Sequence, residues 1–489
     1  MLNLDAVKKI YFVGIGGIAM SAAACLAKQA GFEVEGSDSK EVYSPAKDVI
    51  DESKLSYHIG YDAGQIKNSN ADLFVLSAGE GLENPEVKYI INSDLPRTSF
   101  SELLYELNKE SLRIVVTGTH GKSTTAGFLG HLLKNLDDSS FMVGGVLQNY
   151  DQNFYKGQGH YFVFEGDEYK SQFDDPTPKF HYYKPDIIVL TNLEYDHPDQ
   201  FASIEDLEKE FAELIFKLPE DGLIVYNADN ALLAKLVHES NVASVSFGID
   251  NQADFKVDDV VYGSDFTTIQ ISNKFSKNIS AQLLGQTEEY KIQLPGKMNV
   301  YNALATIATL RALGFSQEQI ALDLLSFKGI KRRFELVGVK NGVTLIDDYA
   351  HHPTAVKETL DAARLRYFPV NDQGLKIKDV GRLWAIFEPH TFSRTKATLG
   401  DLAKSFDSAD EVLISDIYPA REKISDATIT SADVIEAIKN AGEKDAIRLV
   451  HNKKEALDII KSEAKTGDVV IVMAVGNFNR LAYELKELL

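Results

Sequence analysis

The run Thr117-Gly118-Thr119-His120-Gly121-Lys122-Ser123-Thr124 follows an apolar stretch and opens a helical pattern. In that setting the amides of Gly118, Thr119, Gly121 and Thr124 can cradle phosphate. Lys122 can neutralise the β and γ groups of a nucleoside triphosphate, and the Ser123 hydroxyl can hold Mg²⁺. A standard loop of this kind begins with a glycine where the chain has Val116, so the spacing is a shortened variant. Glu165-Gly166-Asp167-Glu168 ends the next apolar run, and Thr191-Asn192 followed by Asp196-His197 ends the one after. Carboxylates and an imidazole at the carboxyl ends of neighbouring parallel strands face one crevice. The arrangement suits Mg²⁺ held by oxygen ligands and substrate phosphates, with His197 as a less usual nitrogen ligand.

Near the start, Gly14, Gly16 and Ala19 form G-x-G-x-x-A after a strand-like run, and Ser37-Asp38 ends the next one. This pattern seats a diphosphate on a helix N-terminus, with Asp38 accepting from a ribose or a base. NAD in a dehydrogenase and UDP in a nucleotide-sugar enzyme both satisfy it. Toward the other end, Arg332-Arg333-Phe334 can reach a transferring γ-phosphate once domains close. Arg394, in EPHTFSRTK, suits a co-substrate that carries a carboxylate.

These groups need three scaffolds. Strand and helix signals alternate over residues 1–108, with strands at 10–13, 32–35 and 73–76, which predicts a parallel sheet covered by helices. Charged residues at 108–111 precede a second unit, 109–327, with buried-type strands at 113–117, 161–165, 187–191 and 223–226. Between 254 and 293 the period falls toward two, which predicts antiparallel strands, and a helix follows with Asn299 as its cap. Short apolar runs at 343–346, 383–387, 412–414 and 469–472 alternate with helical stretches over 328–489. The expected fold class is α/β, with three consecutive domains each built on a mainly parallel sheet.

Composition narrows the partners. At 489 residues the prior is about three domains. Basic residues number 51 against 72 acidic, a formal charge of -21, which disfavours nucleic acid and anionic lipid as partners. Cys25 is the one cysteine, so no intramolecular disulfide can form and a reducing, cytoplasmic setting is expected. The first ten residues lack a signal-peptide pattern, and no apolar run approaches the ~20 residues that span a bilayer.

The ordered motifs GIGGIAMS, GTHGKSTT, FEGDE, TNLEYDH, NVYNA, KRRFE, DDYAHHPT and EPHTFSRTK resemble those of the Mur ligases of bacterial cell-wall synthesis, over essentially the whole chain. The resemblance implies an ATP- and Mg²⁺-dependent amide ligase acting through an acyl phosphate, monomeric or homodimeric, with small-molecule substrates. Residues 1–108 would hold UDP-N-acetylmuramate, through Gly14, Gly16, Gly17, Ser37 and Asp38. Residues 109–327 would hold ATP, through the loop Gly118 to Thr124 together with Asn299 and Asn302. Residues 328–489 would present the amine, with Arg333 and Asp348 reaching ATP. His120, Tyr349, His352 and Arg394 fall on the substrate side, and Lys122, Glu165, His197 and Arg333 at the reaction centre. Met298 stands where the family usually has histidine. PHTFSRTK and DIYPARE resemble members that add L-alanine. EGDEY, KFHYYKP and YHIGYDA resemble those that add the tripeptide L-alanyl-γ-D-glutamyl-meso-diaminopimelate. The C-terminal motifs favour L-alanine, since that domain is expected to hold the amine. A nucleotide-dependent dehydrogenase and a non-catalytic nucleotide sensor are the readings from other classes.

Overall fold

A computed structural model describes residues 2–44, 46–195, 200–201, 203–273, 287–368, 381–420, 422–423, 425, 427–442 and 446–489. The first sheet has five parallel strands in the order Ser56–Ile59, Glu33–Asp38, Lys9–Val13, Leu73–Leu76 and Arg97–Ser99. Ile10, Tyr11, Phe12 and Val13 are fully buried because helices cover both faces of the sheet. The strand order reverses at Lys9–Val13, so the glycine turn that follows it opens into the crevice at a switch point.

The second sheet has ten strands. Its parallel centre places Leu112–Thr117 between Ile187–Leu190 and Tyr161–Glu165. The loop after Thr117 therefore emerges between the two strands whose ends carry Glu165 and Thr191. Phe255–Tyr262, Thr267–Asn273 and Thr287–Ile292 form the antiparallel flank that the two-residue period predicts. One expectation is corrected here: helix Lys297–Ala312 is capped by Gly296, and Asn299 lies inside its first turn. Gly296 takes φ 91°, a left-handed setting that favours glycine and starts the helix earlier than the asparagine would.

The third sheet pairs Glu335–Lys340 antiparallel with Val343–Asp348, then continues in parallel through Val469–Met473, Leu383–Phe387, Glu411–Ser415 and Ile447–Val450. A small antiparallel hairpin, Lys170–Gln172 with Asp175–Pro178, projects from the second unit toward the first. There Arg97 pairs with Asp174 at 3.0 Å. Among the described residues no helix is long and apolar enough to cross a membrane.

Candidate active site

Two glycines shape the phosphate loop. Gly118 sits at φ 136° and Gly121 at φ 81°, both left-handed, and a Cβ on either would overlap a neighbour, Thr191 Oγ1 for the first and Asn302 Oδ1 for the second. The loop is pinned from the adjacent strand end. The His120 amide donates to Asn192 Oδ1 at 2.7 Å, and its carbonyl accepts from Thr191 Oγ1 at 2.7 Å and Asn192 Nδ2 at 3.0 Å. Thr119 Oγ1 donates to the Glu194 carbonyl at 3.0 Å and accepts from the Glu194 amide at 2.8 Å. Helix Lys122–Asp137 begins at the loop's end, so its N-terminus points at the place a phosphate would occupy.

Ser123 Oγ donates to Glu165 Oε1 at 2.7 Å, and the Gly144 amide donates to Glu165 Oε2 at 2.6 Å. Burial and then the Asp167 charge raise the Glu165 pKa, while the Ser123 bond opposes them. Lys122 Nζ donates to Glu168 Oε2 at 2.9 Å and to the Gly118 carbonyl at 2.7 Å. Burial alone would lower its pKa, yet the carboxylates of Glu168, Asp167 and Glu165 outweigh burial and hold it above the ordinary lysine value. The lysine therefore stays a cation. Thr124 is buried in the first helical turn.

Asn302 braces this loop from the facing helix: its Oδ1 accepts from Thr125 Oγ1 at 3.1 Å, and its Nδ2 donates to Asn299 Oδ1 at 3.1 Å. Asn299 Nδ2 in turn donates to the Pro295 carbonyl at 2.7 Å. Asn302 thus stands behind Gly121, and Asn299 supports Asn302.

The two adjacent arginines share an aromatic neighbour and differ in their polar contacts. Arg332, at φ 62°, turns inward, donating to the Ala474 carbonyl at 2.5 Å and lying 3.5 Å from Asp347. Asp347 is completely buried, which pushes its pKa up to about 7 although Arg332 opposes the rise. Both guanidiniums lie over the Tyr349 ring, Arg332 at 5.0 Å and Arg333 at 5.1 Å from its centre. Asp348 accepts from the amides of Phe334 and Ala350, both at 2.6 Å, and so fixes the turn that carries Arg333.

His352 caps helix Pro353–Tyr367, and its ring lies 4.7 Å from that of His120, across from the phosphate loop. Thr354 Oγ1 donates to Glu194 Oε2 at 3.3 Å, a second contact between the two units. Arg394 is nearly buried, 3.4 Å from His390 Nδ1, and the His390 ring lies 5.3 Å from His351. Glu388 closes the same strand end by accepting from the amides of Gly476 and Phe478.

In the first unit, Gly14 takes φ 80° and Gly17 caps helix Ile18–Gln29. The Gly16 amide donates to Asp38 Oδ2 at 2.8 Å, so this acid braces the turn it was expected to serve from the ligand side. Ser37 is buried and its hydroxyl is bonded to Glu86. This group does not touch the phosphate loop directly. One link between the units is Asn153, whose Nδ2 donates to the Ile18 carbonyl at 3.3 Å and the Val143 carbonyl at 3.1 Å.

His197 lies outside the described residues. Glu168 and Glu194 were not singled out from the sequence, although each stands in a motif that was: the first pairs with the loop lysine, the second with His120. Their place next to strand ends was the available signal.

Three family models match in succession: the Mur ligase family, catalytic domain, over residues 9–111; the Mur ligase middle domain over 116–310; and the Mur ligase, glutamate ligase domain over 332–476. The chain is 35% identical to the UDP-N-acetylmuramate–L-alanine ligase of Clostridium acetobutylicum, covering 97% of each protein. Among solved structures it is similar to the UDP-N-acetylmuramate-alanine ligase of Thermotoga maritima, with a TM-score of 0.77 at 24% identity over 98% of each chain. It is also similar to the murein peptide ligase of Psychrobacter arcticus, with a TM-score of 0.70 at 27% identity, again over 98% of each. With three family models met in order along its length, and a relative this similar from end to end, the chain belongs to the Mur ligase family.

Proposed function

We propose that this chain joins L-alanine to the lactyl carboxylate of UDP-N-acetylmuramate, driven by cleavage of ATP to ADP and phosphate. The observation that carries the reading is the crevice where the Lys122 loop faces His352 across a 4.7 Å ring contact, so phosphoryl and amine chemistry share one edge. The full-length likeness to a ligase named for UDP-N-acetylmuramate and L-alanine supports it. In this reading residues 1–108 hold the nucleotide sugar on the glycine turn, 109–327 hold ATP, and 328–489 present the amino acid.

A carboxylate and an ammonium do not condense in water, so the carboxylate must first acquire a leaving group. Transfer of the γ-phosphoryl gives an acyl phosphate, which the free amine attacks through a tetrahedral intermediate. Negative charge builds in both steps and requires fixed cations. Lys122, held cationic by its carboxylate neighbours, serves the phosphoryl step, and Arg333 approaches from the C-terminal unit. The Ser123 hydroxyl and Glu165 carboxylate are hard oxygen donors already 2.7 Å apart, a donor set that fits Mg²⁺. Mg²⁺ bound there would neutralise charge on the β- and γ-phosphates. His352 and Arg394 orient the amino acid, and closure of the units keeps water from the acyl phosphate.

A second reading has its own support. The hairpin Lys170–Gln172 with Asp175–Pro178 lies between EGDEY and KFHYYKP, two motifs that resemble tripeptide-adding members, and the chain is 27% identical to a murein peptide ligase. The test is phosphate release with ATP, Mg²⁺ and UDP-N-acetylmuramate, comparing L-alanine with the tripeptide and weighing the products by mass spectrometry. Release with L-alanine supports the first reading, and release only with the tripeptide replaces it by the second. No release with either overturns both.

A further inference from the structure

We propose that His120, Glu194 and His352 form a binding site for a borderline-soft divalent cation of the Zn²⁺ class, shared between the central and C-terminal units. The three side chains offer ligand atoms that all lie within 4.8 Å of one another. His120 Nε2 and Glu194 Oε2 are 3.4 Å apart. Metal-to-ligand distances of about 2.0–2.1 Å in a tetrahedron place neighbouring ligands about 3.3 Å apart, so this edge is already at coordination spacing. Two imidazoles and one carboxylate form the set that Zn²⁺ and Co²⁺ take readily, whereas Mg²⁺ prefers oxygen.

The ligands are also held in place. The His120 backbone is fixed by Thr191 and Asn192, the Glu194 backbone by Thr119, and His352 by its position ahead of Pro353 at a helix start. Thr354 Oγ1 donates to Glu194 Oε2, the kind of hydroxyl contact that orients a ligating carboxylate. The site is chemically distinct from the Ser123–Glu165 oxygen pair. Since His352 comes from the C-terminal unit and the other two ligands flank the phosphate loop, a bound ion ties the units together. Opening and closing of those units is then resisted. The binding itself does not depend on which amine the enzyme uses.

The test is Co²⁺ titration of the full chain after chelation and desalting, in excess Mg²⁺, followed by the visible d–d absorption of cobalt. We expect a saturable, intense four-coordinate spectrum that Zn²⁺ bleaches. Glu194→Gln and His352→Asn should each weaken Co²⁺ binding at least about tenfold, while Glu165→Gln leaves it unchanged. Zn²⁺ should also raise the unfolding midpoint followed by Trp384 fluorescence in the parent chain and not in Glu194→Gln. That midpoint without metal reports whether each variant folds. Absence of a four-coordinate spectrum in the folded parent chain, its persistence in both site variants, or its loss to Mg²⁺ would overturn the proposal.

Discussion

The Lys122 ammonium lies 2.9 Å from the Glu168 carboxylate, inside the loop whose phosphate it is expected to meet. Glu168 is nearly buried, so this is an ion pair of low dielectric, and the Gly118 and Thr119 carbonyls of the loop also accept from the ammonium. In the proposed reaction the cation would be in place before a γ-phosphate arrives, which would spare the reorganisation that a solvated lysine needs.

Replacing that cation separates two binding events. Lys122→Ala should lower ATP-dependent phosphate release by about 10²–10³-fold or more, while calorimetric binding of UDP-N-acetylmuramate to the first unit stays within a factor of about two. Turnover near the parent rate would remove Lys122 from the chemistry.

Gly121 offers a test of the loop's backbone. Gly121→Ala places a methyl at φ 81° against Asn302 Oδ1, which should cost about 1–2 kcal/mol from conformation alone, with the overlap adding to it. Adding Asn302→Ala should recover the overlap part and leave the conformational part. The two changes should therefore be non-additive in a double-mutant cycle of thermal midpoints. Simple additivity would mean that the helix gives way freely.

Metal removal addresses the oxygen pair. Chelation should abolish phosphate release and Mg²⁺ restore it. Glu165→Gln should raise the Mg²⁺ concentration needed for half-maximal rate at least about tenfold. An unchanged Mg²⁺ requirement in that variant would move the ion elsewhere.

The buried Asp347 sets a pH dependence. Its pKa is pushed up to about 7 by burial, so between about pH 4 and 7 the folded chain keeps a proton that the unfolded chain gives up. Stability of the C-terminal unit should fall as pH rises through that window and level off above it, by at most about 4 kcal/mol. Trp384, the one tryptophan and fully buried in that unit, reports its unfolding in denaturant. Asp347→Asn should flatten this part of the profile, and an unaltered slope would assign it to other groups.

For the amine side, Arg394→Ala should raise the apparent KM for the amino acid by tenfold or more and that for ATP by less than about twofold. Equal effects on both would make Arg394 a structural residue of its strand end.

The parallel strands were legible because their residues are apolar without alternation, as Ile187–Leu190 and Val469–Met473 illustrate, and because strand, loop and helix follow in order around Lys122. The start of helix Lys297–Ala312 was not, since a glycine at φ 91° can cap a helix without any side-chain signal. Arg332 and Arg333 show another limit. Adjacent and alike in sequence, both lie over Tyr349, and what separates them is that Arg332 also reaches buried Asp347 and the Ala474 carbonyl. Pairings across long separations, such as His120 with Glu194 and His352, depend on which strand ends meet, and residue spacing does not encode that.

Asn153 joins the first unit to the second. One amide group, completely buried, grips both the first carbonyl of helix Ile18–Gln29 and the strand residue next to Gly144, whose amide holds Glu165. The glycine turn of the first unit and the strand behind Glu165 are thus joined through one side chain, beside the Arg97–Asp174 and Gln152–Glu52 contacts. A change at Asn153 would therefore be felt at both ends at once, by the glycine turn through the Ile18 carbonyl and by the strand behind Glu165 through the Val143 carbonyl.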